Sequence, residues 1–189
     1  MSAAAIKERI VHPLKPIFDK NSATLILGTM PSPVSRSIGF YYMHPQNRFW
    51  KVMAAVYKEK FSYDNAGTLL LPEKNSTLNY DAAIAERCSF ILRHHLALWD
   101  VLRSCDITGA SDTSIRNPVP NDFSSILKEA KITKVFCTGT TAYKLYTKLC
   151  APVTGITAVL LPSTSPANQG RWSVDALVET YGRQLNNSL

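Results

Sequence analysis

With 189 residues, 46% of them hydrophobic and 19% charged, the chain has the size and balance of one soluble globular domain. The 21 Lys and Arg against 14 Asp and Glu leave +7, an excess that favours polyanionic partners, nucleic acid first among them. No apolar run reaches the roughly eighteen residues of a membrane span, and the N-terminus lacks an apolar core of signal-peptide length, so membrane spanning and export are not expected. Cys88, Cys105, Cys137 and Cys150 form no Cys-x-x-Cys pair, which argues for reduced, mostly buried thiols in a cytoplasmic protein and against a metal site.

Residues 1–22 read as an extension packing on a single domain that occupies 1–189. The branched run "ATLILGT" (23–29) predicts a fully buried strand that stops at Gly28. A long loop, 30–46, leads to the helix "NRFWKVMAAVYKE" (47–59), which carries Phe49, Trp50, Met53 and Val56 or Tyr57 on one face; Asn47 stands where an N-cap would. Residues 61–79 read as loop, and 81–95 as a helix with Ala83, Ile84, Cys88, Ile91 and Leu92 inward. "LALWDVL" (96–102) fits a strand or a turn of helix. The polar stretch 106–122 precedes the helix "FSSILKEAK", capped by Asn121 or Asp122. "KVFCTG" (134–139) is a second buried strand, after which Thr140 or Thr141 opens the helix "AYKLYTKL". "TAVLLPSTSP" (157–166) is a third strand running into a Ser- and Pro-rich loop, and "VDALVETYGRQL" is the last helix. Strands alternating with helices predict an α/β fold around a mostly parallel sheet.

In such folds ligands bind beyond the carboxyl ends of the strands. Three strand ends carry small, polar, Gly- or Pro-punctuated segments: "GTMPSP", "CTGTT" and "LPSTSPAN". The first has neither the spaced glycines nor the Lys-Ser/Thr of a P-loop, so nucleoside triphosphate binding is unsupported. Ser163, Thr164 and Ser165 suit donation to a phosphate backbone, although Ser/Thr clusters also cap turns. "GFYYMHPQNRFW" (39–50) sets five aromatics beside a His, an Asn and an Arg. Phe49 and Trp50 fit a helix core. Phe40, Tyr41 and Tyr42 fall in the loop and fit ligand contact, where stacking on a base is worth about 1–3 kcal/mol. Asn47 could fix a water or a base edge, or only cap its helix. His44 is a candidate for acid–base or backbone contact; His12, His94 and His95 read as surface or satisfied core groups.

Taken in order, "LGTMPS", "FYYMHPQNRFW", "ALWDVL", "DTSIRNPVPNDF", "VFCTGTTAY" and "LPSTSPAN" resemble the uracil-DNA glycosylase superfamily, and within it the hypoxanthine-DNA (deoxyinosine) glycosylases. The resemblance runs from about Ala23 to the C-terminus. It implies a three-layer α/β/α sandwich that flips a damaged nucleotide out of double-stranded DNA and hydrolyses its N-glycosidic bond, without metal, cofactor or obligatory protein partner. Many branches place an Asn or Asp in the first-strand motif to position water. Here that residue is Met30, whose thioether cannot do so. The resemblance then assigns the catalytic role to Asn47, base stacking to Phe40, and the pocket lining to Tyr41 or Tyr42. Gly28, Thr29, Met30, Pro31 and His44 would complete the base site. Ser32, Ser163, Thr164, Ser165 and Asn168 would hold the DNA backbone. Uracil or a mismatched thymine as substrate, or a catalytically inactive nucleic-acid-binding module, are the alternatives.

Overall fold

The computed structural model describes residues 7–70 and 78–186; 1–6 of the expected N-terminal extension and 71–77 of the expected loop lie outside it. Four strands form the parallel centre of this α/β fold: β2 (Thr24–Gly28), β3 (Leu96–Asp100), β6 (Lys134–Thr138) and β7 (Ala158–Leu161), in the order β3-β2-β6-β7. Every residue of β2 and β3 is buried, which is why both read as unbroken apolar runs with no alternation. "LALWDVL" is thus resolved as a strand. In register, Gly28 stands opposite Asp100 and Leu27 opposite Cys137, so the carboxyl ends of β2, β3 and β6 finish level at Gly28, Asp100 and Thr138.

A second, antiparallel sheet has the order β1-β4-β5, from β1 (Lys7–Val11), β4 (Leu102–Thr108) and β5 (Arg116–Pro120). Most of the polar stretch 106–122 is therefore ordered structure, with a 3₁₀ turn at Asp112–Ser114 between β4 and β5. β4 hides Leu102, Ser104, Cys105 and Ile107 and pairs on both sides; β5 carries Pro118 and Pro120, which suit an edge strand. The N-terminal segment is tied in beyond β1: Ile17 exchanges backbone hydrogen bonds with Leu98 (2.9 Å each), and Trp99 Nε1 donates to the Leu14 carbonyl at 3.3 Å.

The helices are α1 (Pro33–Ile38), α2 (Phe49–Val56), α3 (Tyr80–Arg93), α4 (Ser124–Glu129), α5 (Thr140–Leu149), α6 (Ala151–Thr154) and α7 (Val174–Asn186). α1 lies inside the segment expected to be loop. Ser32 caps it by accepting from the Ser35 amide at 3.2 Å, and Pro33 opens it. α2 buries Phe49, Trp50, Val52, Met53 and Val56 and packs on α7, while α3 covers β3 and α5 covers β6 and β7. Cys105, Cys137 and Cys150 are buried thiols and Cys88 is half-buried; burial pushes the Cys150 thiol up to about 11.

Candidate active site at the carboxyl ends of the strands

A cleft of about 880 Å³ opens where β2, β3 and β6 end, with Gly28, Asp100 and Thr138 along its floor. Its walls come from 29–32, from Tyr41, Tyr42, His44 and Asn47, from 109–113, and from 160–168 with Arg171 and Trp172. The three strand-end segments picked out in the sequence thus meet in one place. Gly28 is required there: a Cβ on it would lie 2.2 Å from Asp100 Oδ1 and 2.9 Å from Tyr42 Oη.

The aromatic segment divides. Phe40 was expected to stack on a base, but its ring is 4% exposed and lies face to face with Trp50, centroids 5.9 Å apart and planes 18° apart. Gly39, at φ 84°, ends α1 in the left-handed conformation, and the amides of Gly39 and Phe40 both donate to the Ser35 carbonyl. That turn sends Phe40 into the core and outside the cleft. Tyr41 is also buried: its hydroxyl donates to the Lys15 carbonyl at 2.9 Å, and it meets the cleft only as wall. Tyr42 takes φ 57°, stacks on Phe49 at 4.0 Å and 17°, and brings its hydroxyl to 3.0 Å from Thr138 Oγ1. Burial, with the negative charge of Asp100 adding to it, drives the Tyr41 and Tyr42 phenols far above their usual range.

Asn47 is half-buried in the cleft wall, one residue before the N-cap of α2. Its Oδ1 accepts from the Phe49 amide and from Thr164 Oγ1, each at 2.9 Å. The amide donor fixes which end of the carboxamide is oxygen, so Nδ2 is the free end and has no protein partner among the described residues. Arg48, not Asn47, is the N-cap of α2; Asn47 instead holds the first amide of the helix through Oδ1 and keeps a donor for the cleft. Around it, Asn65 Nδ2 holds the carbonyls of Tyr42, His44 and Asn47 at 3.3, 3.0 and 2.8 Å. Behind Asn65 stands Arg87, 1% exposed, which bonds the Tyr63 and Asp64 carbonyls and packs its guanidinium over Trp50 and Phe61. Burial pulls its pKa down to about 10. His44 Nδ1 accepts from the Gln46 amide at 3.2 Å, leaving Nε2–H at the cleft.

The Ser-rich loop differs from the expected row of phosphate donors. Thr164 is 1% exposed and its hydroxyl is given to Asn47, so burial removes it from that row. Ser32 is occupied too, accepting from the Ser35 amide and donating to Ser35 Oγ at 3.2 Å. Ser163 and Ser165 accept from the Ser165 and Ala167 amides and keep their hydroxyl protons at the cleft, with Asn168 beside them. Thr29, Met30 and Pro31 line the opposite wall.

Four contributors went unassigned in the sequence. Arg48 is 8% exposed and donates to the Thr164, Ser165 and Trp172 carbonyls, pinning the whole loop. Asn65 gave no sequence signal. Asp100 did, as a lone carboxylate at the end of an apolar run. Asp112 accepts from Thr29 Oγ1 at 2.8 Å, and its carboxyl is held above the usual range by burial and by Asp100, against the Thr29 bond. Among the described residues, no group of three or more His, Cys, Asp or Glu could hold a metal ion, and no helix is long and apolar enough to cross a membrane.

A parallel sheet ending in a cleft that holds a fixed carboxamide, two carboxylates and a pinned hydroxyl-bearing loop defines an α/β protein with a deep site for a polar ligand. The chain belongs to the uracil DNA glycosylase superfamily, whose family model matches residues 16–185. It is 32% identical over 114 residues to a protein of Methanosarcina barkeri named hypoxanthine DNA glycosylase, a match covering 60% of each chain. A second protein of that name, from Methanosarcina acetivorans, is 26% identical over 153 residues, 81% of this chain and 85% of the relative. A solution NMR structure of a Methanosarcina acetivorans protein assigned to the uracil DNA glycosylases shares the fold, with a TM-score of 0.69 at 24% identity over 95% of this chain and 99% of the other.

Proposed function

We propose that this chain is a monofunctional DNA glycosylase that releases hypoxanthine from deoxyinosine in double-stranded DNA. The observation that carries the proposal is Asn47, whose carboxamide is locked by two acceptor bonds and presents Nδ2 to the strand-end cleft. The two relatives named hypoxanthine DNA glycosylase support the choice of base.

Hydrolysis of an N-glycosidic bond passes through an oxocarbenium-like sugar and a departing base that gains negative charge. An amide is not a base at neutral pH, so Asn47 acts by donating from Nδ2 to the attacking water or to that growing charge. Because Asn65 and Thr164 hold it before substrate arrives, no reorganisation is needed at the moment of reaction. Met30, in the first-strand wall, has no hydrogen bond to offer a water, which leaves the work to Asn47. Flipping the nucleotide costs a few kcal/mol, least at a mispaired base, and hydroxyls of Ser163 and Ser165 with the Asn168 amide hold the backbone at the rim.

Duplexes carrying one deoxyinosine should be converted to abasic sites, read by strand scission after alkali. Asn47→Ala should cut that rate by about 10²–10³-fold while remaining folded, its melting temperature lowered by the loss of the bonds to the Phe49 amide and Thr164. Cleavage by Asn47→Ala at the wild-type rate would remove the catalytic role. A panel of hypoxanthine, uracil, xanthine and mispaired thymine ranks the substrates. Binding of undamaged duplex should fall linearly on a log–log plot against salt, and a flat line would exclude the phosphate contacts.

A further inference from the structure

Arg87 lies in the middle of α3, fully buried, and pairs with no carboxylate among the described residues. The two acids that act on it, Glu86 and Asp64, are turned to backbone amides. Glu86 Oε1 accepts from Ser62 at 2.7 Å, and Asp64 Oδ1 from Ala66 and Thr68 at 2.8 Å each. The guanidinium donates to carbonyls instead: Nη1 to Ala83 at 3.0 Å, one turn back in the helix, and Nη2 to Tyr63 and Asp64 at 3.0 and 3.1 Å. Its carbon lies 5.5 Å from the Trp50 ring centre and 5.0 Å from that of Phe61, and Nε is buried with no partner. Burying a cation on these terms is costly, and its pKa is drawn down to about 10. A methionine would fill similar space without that cost, so packing does not account for the charge.

What the charge holds is the turn that carries Asn65. Tyr63 bridges to Leu69, the Asp64 amide donates to the Thr68 carbonyl at 2.9 Å, and Asn65 between them is 9% exposed. Asn65 Oδ1 faces Arg87 Nη2 at 3.5 Å, so the cation meets the oxygen end of the carboxamide. Nδ2 is thereby turned to the carbonyls of Tyr42, His44 and Asn47, three acceptors that only a donor could satisfy. The Asn47 amide closes the same turn by donating to the His44 carbonyl at 2.8 Å. Segment 42–47 is thus tied down by one carboxamide, and that carboxamide by one guanidinium. Arg87 itself is not among the residues that line the cleft.

We infer that Arg87 is a positioning residue for the glycosylase reaction: by fixing Tyr63, Asp64 and Asn65 it sets where the Asn47 carboxamide stands in the empty cleft. The inference rests on the glycosylase reading and on the role given there to Asn47. Arg87 touches neither substrate nor cleft, so it reaches turnover only through Asn65.

Single-turnover cleavage of a deoxyinosine duplex is measured in Arg87→Met, in Asn65→Ala and in the double variant. Arg87→Met should cleave about tenfold more slowly than wild type. Arg87→Lys, whose ammonium can donate to the Tyr63 and Asp64 carbonyls from one nitrogen as Nη2 does, should recover part of the rate. The double variant should be no slower than the slower single one, because the two residues act in series. A rate that falls by the product of the two single effects overturns the inference, as does wild-type turnover in Arg87→Met. If Arg87→Met does not fold, the cycle is run with Arg87→Gln, which keeps one donor. Hydrogen exchange gives a readout that needs no cleavage. In the Arg87 variant the amides of Asn47 and Phe49, which donate to the His44 carbonyl and to Asn47 Oδ1, should exchange about tenfold faster, while those of Asn168 and Trp172 keep their protection. Equal loss in both places would make Arg87 a general stabiliser and overturn the inference. If wild type releases no hypoxanthine, or Asn47→Ala cleaves normally, the catalytic reading fails, and the exchange result alone decides whether Arg87 positions the carboxamide.

Discussion

The two segments that adjoin in the cleft wall, 40–48 and 162–172, are both pinned, but in opposite ways. The first is held by its own side chains: Phe40 on Trp50, Tyr42 on Phe49, and Trp50 Nε1 donating to the Tyr41 carbonyl at 2.9 Å. The second has few apolar anchors and is held by its carbonyls, three of which converge on Arg48. An aromatic segment can carry its own core into a loop; a Ser-rich one must borrow its donors from elsewhere. Arg48 is the lender, and it sits next to Asn47 in sequence. One dipeptide thus places a donor in the cleft and fixes the wall beside it.

The sharpest way to break this arrangement is Arg48→Met, which keeps the volume of the stem and removes every guanidinium donor. Buried hydrogen bonds from a charged donor contribute roughly 1.5–3 kcal/mol each, and some are regained from water, so a net loss of about 3 kcal/mol is expected. Denaturant unfolding measures it. Backbone amides of 163–172 should lose hydrogen-exchange protection while those of 40–46 keep it, and equal loss in both would contradict the asymmetry.

Asn65→Ala attacks the aromatic side from beneath. Three carbonyls lose their donor, for an expected cost of about 2 kcal/mol, with Asn47 displaced and turnover reduced. Thr164→Val is gentler, removing one bond to Asn47 Oδ1 at nearly constant volume: about 1 kcal/mol in stability and roughly tenfold in turnover. A Thr164→Val enzyme with normal turnover would show that the Phe49 amide alone positions the carboxamide.

These contacts also mark what could be read from the sequence. The buried strands β2 and β6 and the helix after 47 were legible because apolar runs and apolar faces state their own burial. The strand-end segments were legible because small residues after such runs have few structural uses. Phe40 was not: its neighbours Tyr41 and Tyr42 carry the same aromatic signal, and what separates them is backbone conformation, left-handed at Gly39 and Tyr42. Thr164 and Ser163 look alike as letters and differ in whether a partner 117 residues away takes the hydroxyl. Asn65 lies in a stretch with no period at all, and its role exists only after the chain has folded around it. Asp100 stood out as a lone carboxylate, but with 96–102 undecided its place at the strand ends was not legible, since a helix there would have turned it away.

Asp112, at the cleft mouth, should give the smallest effect. Its carboxyl is raised in the folded protein from the usual 3.8, chiefly by burial and then by Asp100, with Thr29 working in the opposite direction. A raised carboxyl means that the folded protein keeps a proton the unfolded chain has already lost. Stability therefore falls as pH rises from the unfolded value through the folded one, and the deficit persists above both. Asp112→Asn removes the titration and retains an oxygen to accept from Thr29 Oγ1. The variant should melt a few degrees higher than wild type near pH 7, with the gain shrinking to nothing towards pH 4, as followed by calorimetry across that range. A uniform loss at every pH would instead make the Thr29 bond to a charged acceptor the dominant contribution, and the cleft mouth would then be stabilised by the same charge that crowds Asp100.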